Sequence, residues 1–401
     1  MRKAVKYLVM VLAGLLLILA ISLPVAVPPL VERIAVEKFA EFGLPASVKM
    51  NLNWRWRNGP GLAGDVSVLI KDSPWRVNAA FGASCCEWSA EVEMPETAFT
   101  ETDPVCAALL KAYPVQAVSN LVFSGSVALS ARAERTFGKP VPCWRVRMPI
   151  RNLAARATVE EKDYALAGLN LTPAASGLAD HFDIEPTVLR VRSVDLNGFG
   201  FTNLTATVLV LEKSLLVSEA SAELCGGKVG CYSLRLNPKN LNAGFTLFVD
   251  DVDAGATLAH VRGFDGQATG RLHGKVRLFV KEGGKALRLG EAFLYSTPGE
   301  TGKLQIADAT PVTDNLAMAG LDEATRGNVA KALTDLDYSV LRINLRRARD
   351  RTSTLSFVLR GTATRDSLSV PVDLTLNFNG ELEQLINTGL GLSAKTKGKK
   401  Q

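Results

Sequence analysis

The sequence predicts a mainly β protein: a long succession of antiparallel strands with one apolar face, a few short helices and one N-terminal transmembrane helix. Three observations carry that prediction. From Arg271 to Val280 apolar and polar side chains trade places at almost every step, the period of a β-strand. The opposite face of that strand carries Arg271, His273, Lys275 and Arg277, a charged row that belongs in water, so the sheet has a wet side. Short alternating runs bounded by turn residues then recur through most of the chain, behind an N-terminal stretch without a single charge.

With 401 residues and 47% hydrophobic content the chain can bury a large core. A net charge of +6 is small for this length, and the basic residues are not interleaved with aromatics, so nucleic-acid binding is unsupported.

In chain order, Arg2, Lys3 and Lys6 (segment 1–6) precede an apolar run whose membrane-crossing part is read as 7–23. Basic residues ahead of the run place Met1 in the cytoplasm and the body beyond the membrane. Pro28 and Pro29 open a short amphipathic helix, taken as 29–44, which closes at Gly43 and Pro45 and caps the β body. Strands follow, including Val66 to Ile70, Phe123 to Leu129 and Thr205 to Leu211, interrupted by a helix with Asp103 as N-cap and Pro104 at its first position.

Six cysteines in an oxidising compartment make disulfides an expectation. Cys225 and Cys231 have a spacing that can close a loop, although a tight turn at Gly226-Gly227 would instead set Cys225 opposite Lys228. Too few histidines or further cysteines lie nearby for a metal site, and Asp250-Asp251-Val252-Asp253 lacks the glycine and distal glutamate of a calcium loop, so it reads as a solvated turn with a helix cap. Glu282-Gly283-Gly284 turns the chain into a second strand with Leu287, Leu289, Phe293 and Tyr295 on one face. Gly266, Gly270 and Gly274, four apart, mark a bend or bulge. Asp322 caps a helix to about Leu333, three strands close the body, and 381–390 reads as a terminal helix before a basic tail at 393–401. His181, His260 and His273 are scattered and no nucleophile elbow or phosphate loop occurs, which argues against an enzyme; no cofactor is expected.

Leu224-Cys225-Gly226-Gly227-Lys228-Val229-Gly230, then Val249 to Asp253, Gly266 to Val280, Gly302-Lys303-Leu304, and Ala332 to Ser339 leading into Pro371 to Leu376, resemble in their order the C-terminal part of the YdbH proteins. That family, sometimes labelled a dicarboxylate transport domain, is similar to the AsmA-like group that includes TamB. Its members are inner-membrane-anchored periplasmic proteins regarded as intermembrane phospholipid carriers. The resemblance divides the body into 45–213 and a YdbH-like part, 214–392. It implies a long curled antiparallel sheet, an open β-groove, with phospholipid as ligand, the inner membrane as partner through the N-terminal helix, and an outer-membrane or periplasmic protein as a further partner. Localisation would be single-pass in the cell inner membrane with the bulk of the chain in the periplasm. The function implied is phospholipid transfer between inner and outer membranes along an apolar trough. Candidate groove residues are Leu272, Val276, Leu278, Leu287, Leu374 and Phe378, although an ordinary core produces the same alternation. The competing reading is a non-transporting periplasmic scaffold for envelope assembly that binds a protein partner, lending it an open sheet edge.

Overall fold

A computed structural model gives the fold and describes residues 24–41, 43–55, 61–84, 87–112, 119–136, 143–159, 162–178, 181–196, 198–211, 214–237, 242–259, 266–281, 286–307, 322–347, 353–365 and 368–380. Its contacts divide the chain into two compact units, Met1–Ala157 with Gly168–Thr187, and Thr158–Ala167 with Val188–Gln401.

The first described element is helix α1, 24–41, which starts upstream of the expected proline boundary. It ends in a Schellman arrangement, Leu44 N–H donating to the Phe39 carbonyl at 3.0 Å and Gly43 N–H to that of Ala40 at 2.9 Å. Glu32, Arg33, Glu37, Lys38 and Glu41 punctuate it, with Arg33–Glu37 and Lys38–Glu41 paired at 3.1 and 2.8 Å in the open.

Among the described residues no helix is long and apolar enough to cross a membrane. The expected span 7–23 lies outside them, as do the terminal helix at 381–390 and the tail 393–401. The expected transmembrane element, the single-pass inner-membrane localisation and the membrane as a partner through that helix are corrected to this: no helix among the described residues supplies them.

In the first unit, β1 (Ala46–Arg55), β2 (Gly61–Ile70), β3 (Arg76–Ser84) and β4 (Glu87–Thr100) form successive antiparallel hairpins. Helix α2 (Pro104–Ala112) follows, capped by Asp103, whose carboxylate accepts from Val105 N–H at 3.0 Å and from Ser73 Oγ. The 18-residue β5 (Ser119–Thr136) pairs with β4 on one side and with β6 (Cys143–Arg147) on the other. Beyond come β7 (Ile150–Val159), β8 (Lys162–Leu171), β9 (Ala174–Leu178) and β10 (His181–Ile184), with β9 bridging β6 and β10.

The second unit contains β11 (Thr187–Leu196), β12 (Phe199–Leu211), β13 (Ser214–Leu224), β14 (Gly227–Leu236) and β15 (Ala243–Asp253). Asp253 ends β15 and caps the short helix α3 (Ala254–Leu258) by accepting from Ala256 N–H at 2.7 Å. The expected aspartate turn is thus a bulged strand end, with an irregularity between Val249 and Val252. After β16 (Gly266–Ala268), β17 (Arg271–Lys281), β18 (Ala286–Ser296) and β19 (Gly302–Ile306), helix α4 (Glu323–Thr334) leads into β20 (Leu336–Arg347), β21 (Ser353–Arg365) and β22 (Leu368–Gly380).

Antiparallel pairing runs β12, β13, β14, β15, β17, β18, β20, β21, β22, and no pairing among the described residues returns β22 to an earlier strand of this unit. This ladder is open and not curled, which corrects the expected curled groove. The physical reason is how the apolar face finds cover. Leu333 of α4 and Ala254 of α3 share one buried cluster with Leu272, Leu304, Leu336, Tyr338, Leu341 and Leu359, so added elements bury the face without the sheet having to wrap around itself.

Candidate functional site

The two faces of β17 and its neighbours are the natural place to look for function. On one face, Val276 lies between Leu247 of β15 and Ala292 of β18, and Leu278 between Phe245 and Leu289. Leu287 pairs with Val280 in the backbone register. The face continues through Leu294, Ile343 and Phe357, each in register with the next. Leu374 pairs with Leu359, and Phe378 with Leu355 in the backbone register. Of the expected groove residues, Leu272, Val276, Leu278 and Leu374 lie on one continuous face, and the side chains of Leu287 and Phe378 lie outside the described ones.

Their environments differ sharply. Leu272 is 4% exposed within the main core, whereas Val276 and Leu278 are only half-buried and Leu374 packs half-buried at the margin of the core. Leu345, also 4% exposed, is a second fully buried position on the same face. A filled core at Leu272, Leu341 and Leu359 interrupts the uniform open trough that a tail would need.

A bulge that was not legible in the sequence decides the other face. Val276 pairs with Ala292 but Leu278 pairs with Leu289, so one extra residue of β18 is accommodated between them. Side-chain parity flips there. Leu289 stays on the apolar face, while Phe293 and Tyr295 turn to the charged face, opposite Lys275 and His273. An aromatic row results that the sequence reading missed: Tyr232 is 75% exposed and 4.8 Å from Phe248, which is itself 39% exposed, and Phe293 and Tyr295 lie 5.4 Å apart. His273 joins Tyr295 at 5.8 Å and is held between Asp250 Oδ1 at 2.9 Å and Thr297 Oγ1 at 3.0 Å. Arg277 sits over the Phe279 ring at 5.2 Å.

Gly274, one of the glycines expected to mark a bend or bulge, lies opposite the irregularity of β15 between Val249 and Val252. Its φ is +144°, and a Cβ there would collide with the backbone of Phe293 and Leu294.

The Cys225 hairpin turns one residue earlier than expected. Leu224 pairs with Gly227 and Glu223 with Lys228, leaving Cys225 (φ +47°) and Gly226 (φ +72°) as the two central residues of a type I′ turn. Cys231 lies on β14 opposite Ala220, buried, with its Sγ donating to the Ser233 carbonyl at 3.4 Å. Both thiols are free, and the register of the hairpin holds the turn without a bridge. Burial pushes the Cys225 thiol pKa up; the hydrogen bond with Thr257 opposes this and the Asp253 charge adds to it. Burial likewise raises the Tyr338 phenol, with Asp253 contributing, and its hydroxyl donates to the Thr269 carbonyl.

Among the described residues no group of histidine, cysteine and carboxylate side chains could hold a metal. No curated protein and no solved structure matches the chain. A family model described as YdbH-like, intermembrane phospholipid transport protein YdbH, matches residues 110–390, which take in β5 to β22 and both faces described above. The chain belongs to the YdbH-like family.

Proposed function

We propose that the protein is a non-catalytic β scaffold in a lipid-transport-related process, receiving a protein partner on the outer edge of β22. The family it belongs to is named for transport and not for a reaction, and the chain is not an enzyme. The expectation of a membrane-anchored carrier with phospholipid as its ligand is corrected. No membrane-crossing helix occurs among the described residues, and the apolar face that would carry tails is in part a filled core.

The observation that carries the scaffold reading is β22 itself. It pairs with β21 along its length, from Ser353↔Gly380 to Arg365↔Leu368, and among the described residues no strand pairs with its other side. Such an edge offers a row of backbone donors and acceptors to an added strand. Pro371 identifies which donors. It has no N–H and faces Thr362 in an unbroken register, so its parity is that of residues whose N–H groups point away from β21. Asp373, Thr375 and Asn377 share that parity, and all three are exposed.

Thr375→Pro should therefore strip one outward donor while leaving the β21–β22 ladder intact. With a photo-crosslinking side chain at Asn377 of the full chain in cells, protein-sized adducts are expected, and they should disappear with Thr375→Pro while thermal stability is kept. Lipid adducts from probes at Val276 and Leu278, together with no protein adduct at Asn377, would overturn the scaffold reading.

A further inference from the structure

We propose that the concavity over β5, β6 and β9 binds a phosphate-class anion through Arg132, Arg145 and Arg147. The cavity measures about 600 Å³ and lies wholly within the first unit. That volume is in the range of small-molecule sites.

The register puts like charges together. Arg132 on β5 stands directly opposite Arg145 on β6, and Ser130 opposite Arg147, so the three guanidinium groups share one face within a single pair of strands. Like charges directly opposite one another on a sheet are destabilising, and a bound anion reverses the sign of that contribution. Two carboxylates line the same cavity, Glu134 at 3.1 Å from Arg132 and Glu91 opposite Arg132 on β4, and both fall to the first of the three arginines. Arg145 and Arg147 are exposed, and no acidic partner is found for either among the described residues. Ser176 on β9 faces Arg145 across the next ladder and adds a hydroxyl donor beside it.

Arginine forks match phosphate oxygens two at a time, so a tetrahedral dianion or a phosphodiester is the ligand class this geometry takes. The second cavity of similar size, about 660 Å³ at the Cys225 turn, is lined by Glu223, Asp250 and Asp251 against a single cation, Lys228, and is acidic on balance.

Two sources carry the same chemistry, a free phosphate and the phosphodiester of a lipid headgroup. Isothermal titration of the full chain in uncharged detergent separates them, with inorganic phosphate in one arm and tail-free glycerophosphoglycerol in the other. Saturable binding of either compound at one site is expected, weakening about tenfold for each arginine removed in Arg145→Gln and Arg147→Gln. Preference for the diester assigns the site to headgroups, and preference for phosphate to a free anion. Arg145→Lys, which keeps the charge but not the fork, should bind between wild type and Arg145→Gln and controls for folding. No saturable binding in either arm, or binding unchanged in the Arg145→Gln/Arg147→Gln variant, overturns the proposal.

Discussion

Leu272 and Leu278 sit six residues apart on one strand and one face, yet the first is 4% exposed inside the main core and the second is half-buried. Residue type, strand and alternation are the same at both positions. What differs is cover. Leu272 shares a cluster with Leu333 of α4, Ala254 of α3 and Leu304 of β19, while Leu278 stands between its cross-strand neighbours Phe245 and Leu289 and belongs to no buried cluster among the described residues. Period-two alternation marks which side chains share a face, and an overlying element decides whether that face becomes a core.

The largest expected effect tests this pair directly. Leu272→Ala should destabilise by about 2–5 kcal/mol, the range for emptying a well-packed site, whereas Leu278→Ala should cost about 1 kcal/mol because less area leaves water. Urea unfolding of the two variants side by side, read by β-sheet circular dichroism, checks it. Equal losses would mean that cover does not separate the two ends of the strand.

Gly274 lies between them, where the backbone of β18 comes close to β17. Gly274→Ala forces a positive φ on alanine and drives its methyl into the Phe293 carbonyl, so a loss of about 2–3 kcal/mol is expected. Hydrogen exchange should show protection falling in β17 and β18 before it falls in β13 and β14. A uniform loss would argue against a local close approach.

Thiol chemistry sharpens the contrast between covered and open positions in the other unit. Cys106, on α2, is 6% exposed, and burial, with the Asp103 charge adding to it, raises its pKa to about 11. Cys143, on β6, is exposed. The thiolate is the reactive species, so a pKa above the solution pH holds Cys106 protonated, and its alkylation should rise about tenfold per pH unit from pH 8 to 10. Iodoacetamide labelling followed by peptide mass spectrometry should find Cys143 modified well before Cys106 at pH 8.

The smallest effect belongs to the wet face. Arg360 and Asp373 pair at 3.1 Å across β21 and β22 with both side chains mostly in solvent. Asp373→Asn should change stability by less than about 1 kcal/mol, and the difference should vanish in high salt. A larger, salt-insensitive loss would mark this edge as more buried than its exposure indicates.

Much of the architecture follows from residues read singly. Asp103 with Pro104 starts α2, Asp322 precedes α4, and the alternations of Leu341 to Leu345, Leu355 to Leu359 and Val370 to Phe378 fall on three paired strands. These are local properties, set by capping chemistry and by the two-residue period of the extended chain, so the sequence determined them by itself. The candidate site was half legible for the same reason. Val276, Leu278 and Leu289 do share a face, but Phe293 and Tyr295 do not join them, because one bulge residue in β18 reverses parity. Neither that bulge nor the one-residue difference in the Cys225 turn has a local signature strong enough to read, since each is fixed by the neighbouring strand's register. Tertiary structure alone decided three things: where α3 and α4 cover the sheet, that the ladder stays open at β22, and that Arg132 meets Arg145 across β5 and β6. Each depends on residues distant in sequence, brought together by packing and pairing energies that no short stretch of the chain encodes.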